Sequence, residues 1–203
     1  MTTDTILLGS FLRVVPGTLV VDLGCGTGGA IEAALKGNPG CRWLGIDFRF
    51  EALSRMLGPE GLCDEAGSLS AICCRVQDVP FLIPESLAGA VIMNPPYVRS
   101  DRGRASPVPS RSVSRAAPST AVHSFLRAAS HLLAPGGEMV AVFRPAMLPS
   151  ILLGCGTWGL GVSLLQPVGP HGKPAVHLLA RCIRGSRPDL VLNSQRTSEE
   201  LIT

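Results

Sequence analysis

Leu19-Val20-Val21-Asp22-Leu23-Gly24-Cys25-Gly26-Thr27-Gly28-Gly29 decides the fold: an apolar run ends in an acid, four glycines crowd into six positions, and a helix-period segment, 28–36, follows. A strand that feeds a glycine-rich turn and then a helix opens a βαβ unit, with the turn at the carboxyl end of a parallel strand, where ligands bind in such sheets. Glycines suit that place because a side chain would hold a nucleoside away from the backbone, while exposed amides at a helix start favour a carboxylate or phosphate. The glycines alone do not choose the ligand. Gly24, Gly26 and Gly29 fit the dinucleotide pattern G-x-G-x-x-G, and Asp22, Gly24, Gly26 and Gly28 fit D-x-G-x-G-x-G, so NAD stays open at this point.

Outward from that turn, apolar runs bounded by turn residues alternate with helix-period segments. The runs cover 19–23, 43–46, 70–76, 88–93, 138–143, 161–168 and 175–183, and the helical segments cover 4–14, 28–36, 50–57, 120–133 and 146–153. This alternation predicts an α/β, Rossmann-like fold with a mostly parallel sheet flanked by helices. Residues 1–193 read as one domain, because a single core stays economical up to roughly 250 residues. A loop rich in Ser, Arg and Pro over 99–119 is expected to be flexible, and the polar tail 194–203 is expected to fray.

Three acids stand at successive strand ends. Asp22 precedes the first glycine by two, Asp47 follows Gly24 by 23 and closes the second strand, and Asp78 stands just after the third strand. A carboxylate at the first tip can meet an ammonium, one at the second can accept both hydroxyls of a ribose, and one at the third can meet an adenine amino group. Together with Gly24, Gly26 and Gly28 they favour S-adenosyl-L-methionine over NAD.

The fourth strand ends in Asn94-Pro95-Pro96-Tyr97. An amine conjugated to a ring, or an amide nitrogen, is a poor nucleophile because its lone pair is delocalised. The Asn94 side-chain oxygen and the Pro95 carbonyl can both accept from such an amine and draw it toward pyramidal geometry, and the prolines keep the corner rigid. Tyr97, the single tyrosine, can stack on a target base. The catalytic candidates are therefore Asn94, Pro95 and Tyr97, and no metal is required.

Charge is divided unevenly. Residues 1–95 carry 6 basic against 10 acidic side chains, residues 96–203 carry 12 against 5, and 16 of the 18 basic residues are Arg. A basic second half suits a polyanion. Arg99, Arg102 and Arg104, with Arg111 and Arg115 further along the same loop, follow the N-P-P-Y corner directly; with Arg144 and Lys173 they are candidate phosphate contacts. The cysteines Cys25, Cys41, Cys63, Cys73, Cys74, Cys155 and Cys182 lack C-x-x-C spacing and read as small apolar residues in a reducing cytosol. The N-terminus carries no secretory pattern, so a cytoplasmic protein is expected. The stretch from Ala146 to Val168 is uncharged for 23 residues, but Pro149 and four glycines predict a short helix, a glycine loop and a strand, not a membrane span.

These motifs resemble the class I methyltransferases with an N-P-P-Y motif, and within them the bacterial valine-tRNA adenine N6-methyltransferases. The likeness runs over nearly the whole chain, through Thr3-Asp4-Thr5-Ile6-Leu7-Leu8, Val21-Asp22-Leu23-Gly24, Asn94-Pro95-Pro96-Tyr97, Leu133-Ala134-Pro135-Gly136-Gly137, Phe143-Arg144-Pro145, Gly172-Lys173-Pro174-Ala175 and Arg184-Gly185-Ser186-Arg187. It implies a seven-stranded sheet with the last strand antiparallel, S-adenosylmethionine as methyl donor, and an adenine N6 in RNA, specifically tRNA, as acceptor. Members of that family open with a strand and turn some tens of residues earlier, whereas this chain begins almost at its first helix. Two alternatives stay open: a protein glutamine methyltransferase, since the same corner serves an amide nitrogen, and a non-catalytic RNA-binding scaffold that keeps the fold.

Overall fold

The computed structural model describes residues 2–59, 61–62, 68–96 and 118–202. Eight strands form one sheet: β1 (Leu19–Leu23), β2 (Arg42–Asp47), β3 (Leu69–Cys73), β4 (Ala88–Met93), β5 (Leu133–Phe143), β6 (Leu160–Val168), β7 (His177–Arg184) and the two-residue β8 (Val191–Leu192). Their order is β3-β2-β1-β4-β5-β7-β6-β8. β3, β2, β1, β4 and β5 run parallel, and β7 lies antiparallel between β5 and β6. The seven expected strands and the antiparallel last one are all present. The eighth, β8, pairs parallel with Leu164 and Leu165 of β6. It escaped the sequence because two residues are too few to carry an alternating pattern.

The central strands are continuous apolar runs because helices cover both faces of the sheet. On one face, α1 (Thr3–Phe11), α2 (Gly29–Leu35) and α3 (Phe50–Leu57) bury Leu7, Leu8, Ile31, Leu53 and Met56 against Val20, Trp43 and Ile92. On the other, α4 (Val79–Leu82), α5 (Pro118–Leu132) and α6 (Leu148–Thr157) bury Val79, Val122, Phe125, Leu126 and Ile151 against Val21, Val91 and Phe143. The last helix, α7 (Glu199–Ile202), lies beside α1.

Several boundaries differ from the sequence reading for identifiable reasons. The third strand stops at Cys73, and Val76–Asp78 form a 3-10 turn leading into α4. Pro80 fits the first turn of that helix, where its missing N–H is not needed. In the uncharged stretch Gly154 and Gly156 lie inside α6, not in a loop. Gly154 is there for close packing, since a Cβ on it would come within 2.4 Å of the Leu126 side chain on α5. The turn falls instead at Gly159, with φ +65°. No described helix is long and apolar enough to cross a membrane.

The fraying expected after Asn193 is not what the structure has. Asn193 N–H donates to the Leu165 carbonyl at 3.0 Å, Arg196 N–H to Pro167 at 3.1 Å, and Gly169 N–H to Arg196 at 2.9 Å. Main-chain pairing to an open strand edge does not depend on side-chain polarity, so a polar composition concealed it.

Strand order reverses between β1 and β4, the first pair whose connections leave in opposite directions. In open α/β sheets that switch point opens a crevice at the carboxyl ends of the strands. The glycine turn after β1 and the Asn-Pro-Pro corner after β4 flank it.

Candidate active site

The register places Leu23 beside Met93 and beside Ile46, so the turns after β1, β2 and β4 emerge side by side. Gly24 and Cys25 donate their N–H groups to the Ile46 carbonyl at 2.7 and 3.1 Å, which ties the glycine turn to β2. Gly24, Gly26 and Gly28 have φ of +76°, +58° and +84°, a region that other residues enter only with strain. Gly28 is also enclosed. A Cβ there would lie 2.7 Å from Leu62 and 2.8 Å from Met56, so its role includes packing the turn onto α3.

Asp47, at the tip of β2, is buried and fully engaged. Its Oδ2 accepts from the Gly26 N–H at 2.9 Å and from Arg49 Nη2 at 3.0 Å, and its Oδ1 accepts from the Arg49 N–H at 2.9 Å and from Arg49 Nε at 3.0 Å. Burial alone would raise this carboxyl, but the hydrogen bonds from Arg49 and Gly26 and the Arg49 charge outweigh it and hold Asp47 below the usual carboxylate range.

Asp22, near the tip of β1, is the opposite case. It is buried, its Oδ2 has no hydrogen-bond partner, and burial together with the negative charge of Asp47 pushes it up to about 8. An orphaned carboxyl oxygen beside a glycine cradle fits a site meant for a cation, since a positive group there would restore the missing partner. Cys25, inside the same turn, is raised by burial and then by Asp22 and Asp47, which makes it a poor nucleophile.

Asp78 sits half-buried in the 3-10 turn after β3, two strands away from β1. Its charge, after burial, contributes to raising the nearby Cys74 thiol. After β4, Asn94 is half-buried, Pro95 buried and Pro96 exposed. Tyr97, Arg99, Arg102 and Arg104 lie outside the described residues, as do Arg111 and Arg115.

The remaining two candidates share the same carboxyl rim. Arg144, directly after β5, is exposed and donates from Nη1 to the Val176 carbonyl at 3.0 Å. Lys173 is exposed in the turn between β6 and β7, whose carbonyls at Pro170 and Lys173 accept from the Gln195 side-chain amide at 3.0 and 2.9 Å. His131 spends its Nε2 on the Ile83 carbonyl at 2.8 Å, in keeping with a structural place on α5. Among the described residues no group of three or more His, Cys, Asp or Glu side chains could hold a metal ion.

Sequence reading missed two residues of this site. Arg49 is one; a basic residue two positions beyond a strand-end acid, where both its N–H and its guanidinium can reach the carboxylate, was the available signal. Phe125 is the other, its ring 3.2 Å from where a Gly24 Cβ would lie. Only the assembled fold brings α5 over that turn.

No protein-family model matches the sequence, and no curated protein matches it. Solved structures do match. The predicted O-methyltransferase of Agrobacterium tumefaciens superposes with a TM-score of 0.73 at 23% identity, covering 96% of this chain and 85% of that one. A Pyrococcus horikoshii protein assigned as an RNA methyltransferase gives 0.61 at 19% identity, covering 89% and 81%. A TehB-like S-adenosylmethionine-dependent methyltransferase of Corynebacterium glutamicum gives 0.58 at 13% identity, covering 91% and 88%. The mostly parallel sheet flanked by helices is the Rossmann-like fold that these methyltransferases share with this chain.

Proposed function

We propose that this chain transfers a methyl group from S-adenosylmethionine to a planar exocyclic amine, with N6 of an adenine in RNA, most simply a tRNA, as the acceptor. The observation that carries the reading is the Asn94-Pro95-Pro96 corner at the end of β4, next to the glycine turn across the switch point. When bound, S-adenosylmethionine supplies an electrophilic methyl group on a sulfonium.

The protein's share is to bind, orient and neutralise. Gly24, Gly26 and Gly28 keep the floor of the cleft clear of side chains. Asp22 answers the ammonium, Asp47 the ribose hydroxyls and Asp78 the adenine amino group of the donor. The Asn94 Oδ1 and the Pro95 carbonyl accept the two amine hydrogens and localise the nitrogen lone pair along the line of attack; bound S-adenosylmethionine would supply the methyl group and keep the sulfur's electron pair, and the proton released by the amine passes to solvent. Tyr97 stacks on the target base, and Arg99, Arg102, Arg104, Arg144 and Lys173 hold phosphates at the rim.

The resemblance to the Pyrococcus protein supports an RNA substrate, and the basic second half of the chain supports it independently. The test is incubation with methyl-labelled S-adenosylmethionine and unmodified tRNA, followed by nucleoside mass spectrometry. N6-methyladenosine is expected. Label in a Gly-Gly-Gln peptide and none in RNA would move the acceptor to a protein amide, and no transfer with no cofactor binding would reduce the chain to a scaffold.

A further inference from the structure

The acceptor assigned to the ribose is already filled from within the chain. An ionised carboxylate offers about four acceptor positions. On Asp47 all four are taken: one on each oxygen by a main-chain N–H, of Arg49 and of Gly26, and one on each by the Arg49 guanidinium. The two main-chain donors fix the carboxylate. The two guanidinium donors take the one remaining position on each oxygen, and a vicinal diol held by this carboxylate would need one position on each. The guanidinium also covers the glycine turn, since a Cβ on Gly26 would lie 3.2 Å from Arg49 Nη2. The Arg49 side chain is 54% exposed, so it can leave without disturbing the core.

We propose that Arg49 is an intramolecular competitor for the ribose subsite, a residue that sets the affinity of the nucleoside by having to be displaced from Asp47 before the diol can bind. The proposal rests on the reading of Asp47 as the ribose acceptor. It differs from a supporting role for Arg49, because the two main-chain donors keep Asp47 oriented after the guanidinium has gone. Displacing an ion pair also gives the equilibrium a salt dependence of unusual sign. Salt weakens the Arg49–Asp47 pair and thereby strengthens nucleoside binding.

The test is calorimetric titration of the full chain with S-adenosylhomocysteine, in Arg49→Ala, Arg49→Lys and Asp47→Asn, at low and high salt. Arg49→Ala is expected to tighten binding about tenfold and to lose the strengthening by salt, Arg49→Lys to fall between it and the wild type because a point charge makes no fork, and Asp47→Asn to weaken binding at least tenfold. If Asp47→Asn weakens binding and Arg49→Ala weakens it too, the competitor is refuted while the ribose assignment stands. If Asp47→Asn binds as tightly as the wild type, the ribose assignment falls and the competitor with it.

Discussion

Asp22, one residue before the end of β1, and Asp47, at the end of the neighbouring β2, are each 3% exposed, yet only Asp47 has its charge answered. Four donors surround Asp47, whereas one oxygen of Asp22 has none, and the charge on Asp47 adds to burial in pushing Asp22 up to about 8. The pair is therefore a charged acceptor beside an acid that burial and its neighbour's charge hold protonated.

Stability should record that state. An aspartate released by unfolding loses its proton near pH 4, whereas folded Asp22 keeps it to about 8, so across that interval the unfolded chain binds fewer protons and stability falls with rising pH by up to ~1.4 kcal/mol per unit. Asp22→Asn should flatten the slope. Urea denaturation at pH 5 and pH 8 measures it, and equal slopes in mutant and wild type would refute the assignment.

Ligand binding should show the converse. On the proposed assignment the ammonium of S-adenosylhomocysteine would meet the ionised form of Asp22, so affinity should rise from pH 6 toward 8 and level off above it, and Asp22→Asn should bind weakly with that rise removed. Titrations at four pH values decide the matter.

Much of this was legible from residues 19–29, because a strand, four glycines and a helix leave few folds to choose from; the acids at 22 and 47 and the corner at 94 fall at strand ends on one edge, whereas Asp78 lies five residues past the end of β3, in the 3-10 turn. What the sequence could not show was contact. The Arg49–Asp47 fork depends on how the chain bends after β2, and the Phe125 ring over Gly24 depends on α5 packing onto β4 and β5. The tail misread had another cause: backbone pairing of Arg196 with Pro167 and Gly169 leaves no trace in side-chain character.

The enclosure of Gly28 separates strain from collision. Both Gly28 and Gly136 have positive φ, at +84° and +77°, but a Cβ on Gly136 meets nothing within 4 Å. Gly136→Ala should cost about 1–2 kcal/mol from backbone strain alone. Gly28→Ala should cost a further ~1–3 kcal/mol for displacing Leu62 and Met56, read as the shift in denaturation midpoint. Equal losses would mean that α3 does not press on the turn.

An RNA substrate predicts a measurable salt slope. Removing Arg144 and Lys173 together should lower the slope of log Kd against log salt by about 1 to 2, one phosphate contact for each, and weaken different RNAs alike. Fluorescence anisotropy with tRNA between about 50 and 200 mM salt reads this directly. An unchanged slope would take both residues out of the interface.

The oxygen acceptors after β4 remain the decisive point, and single-turnover methyl transfer by Asn94→Ala at saturating cofactor tests them most directly. The rate should fall by roughly 10²–10³ while affinity for S-adenosylhomocysteine stays within about threefold. Transfer at near wild-type rate would contradict the assignment, and so would a loss explained wholly by weaker cofactor binding.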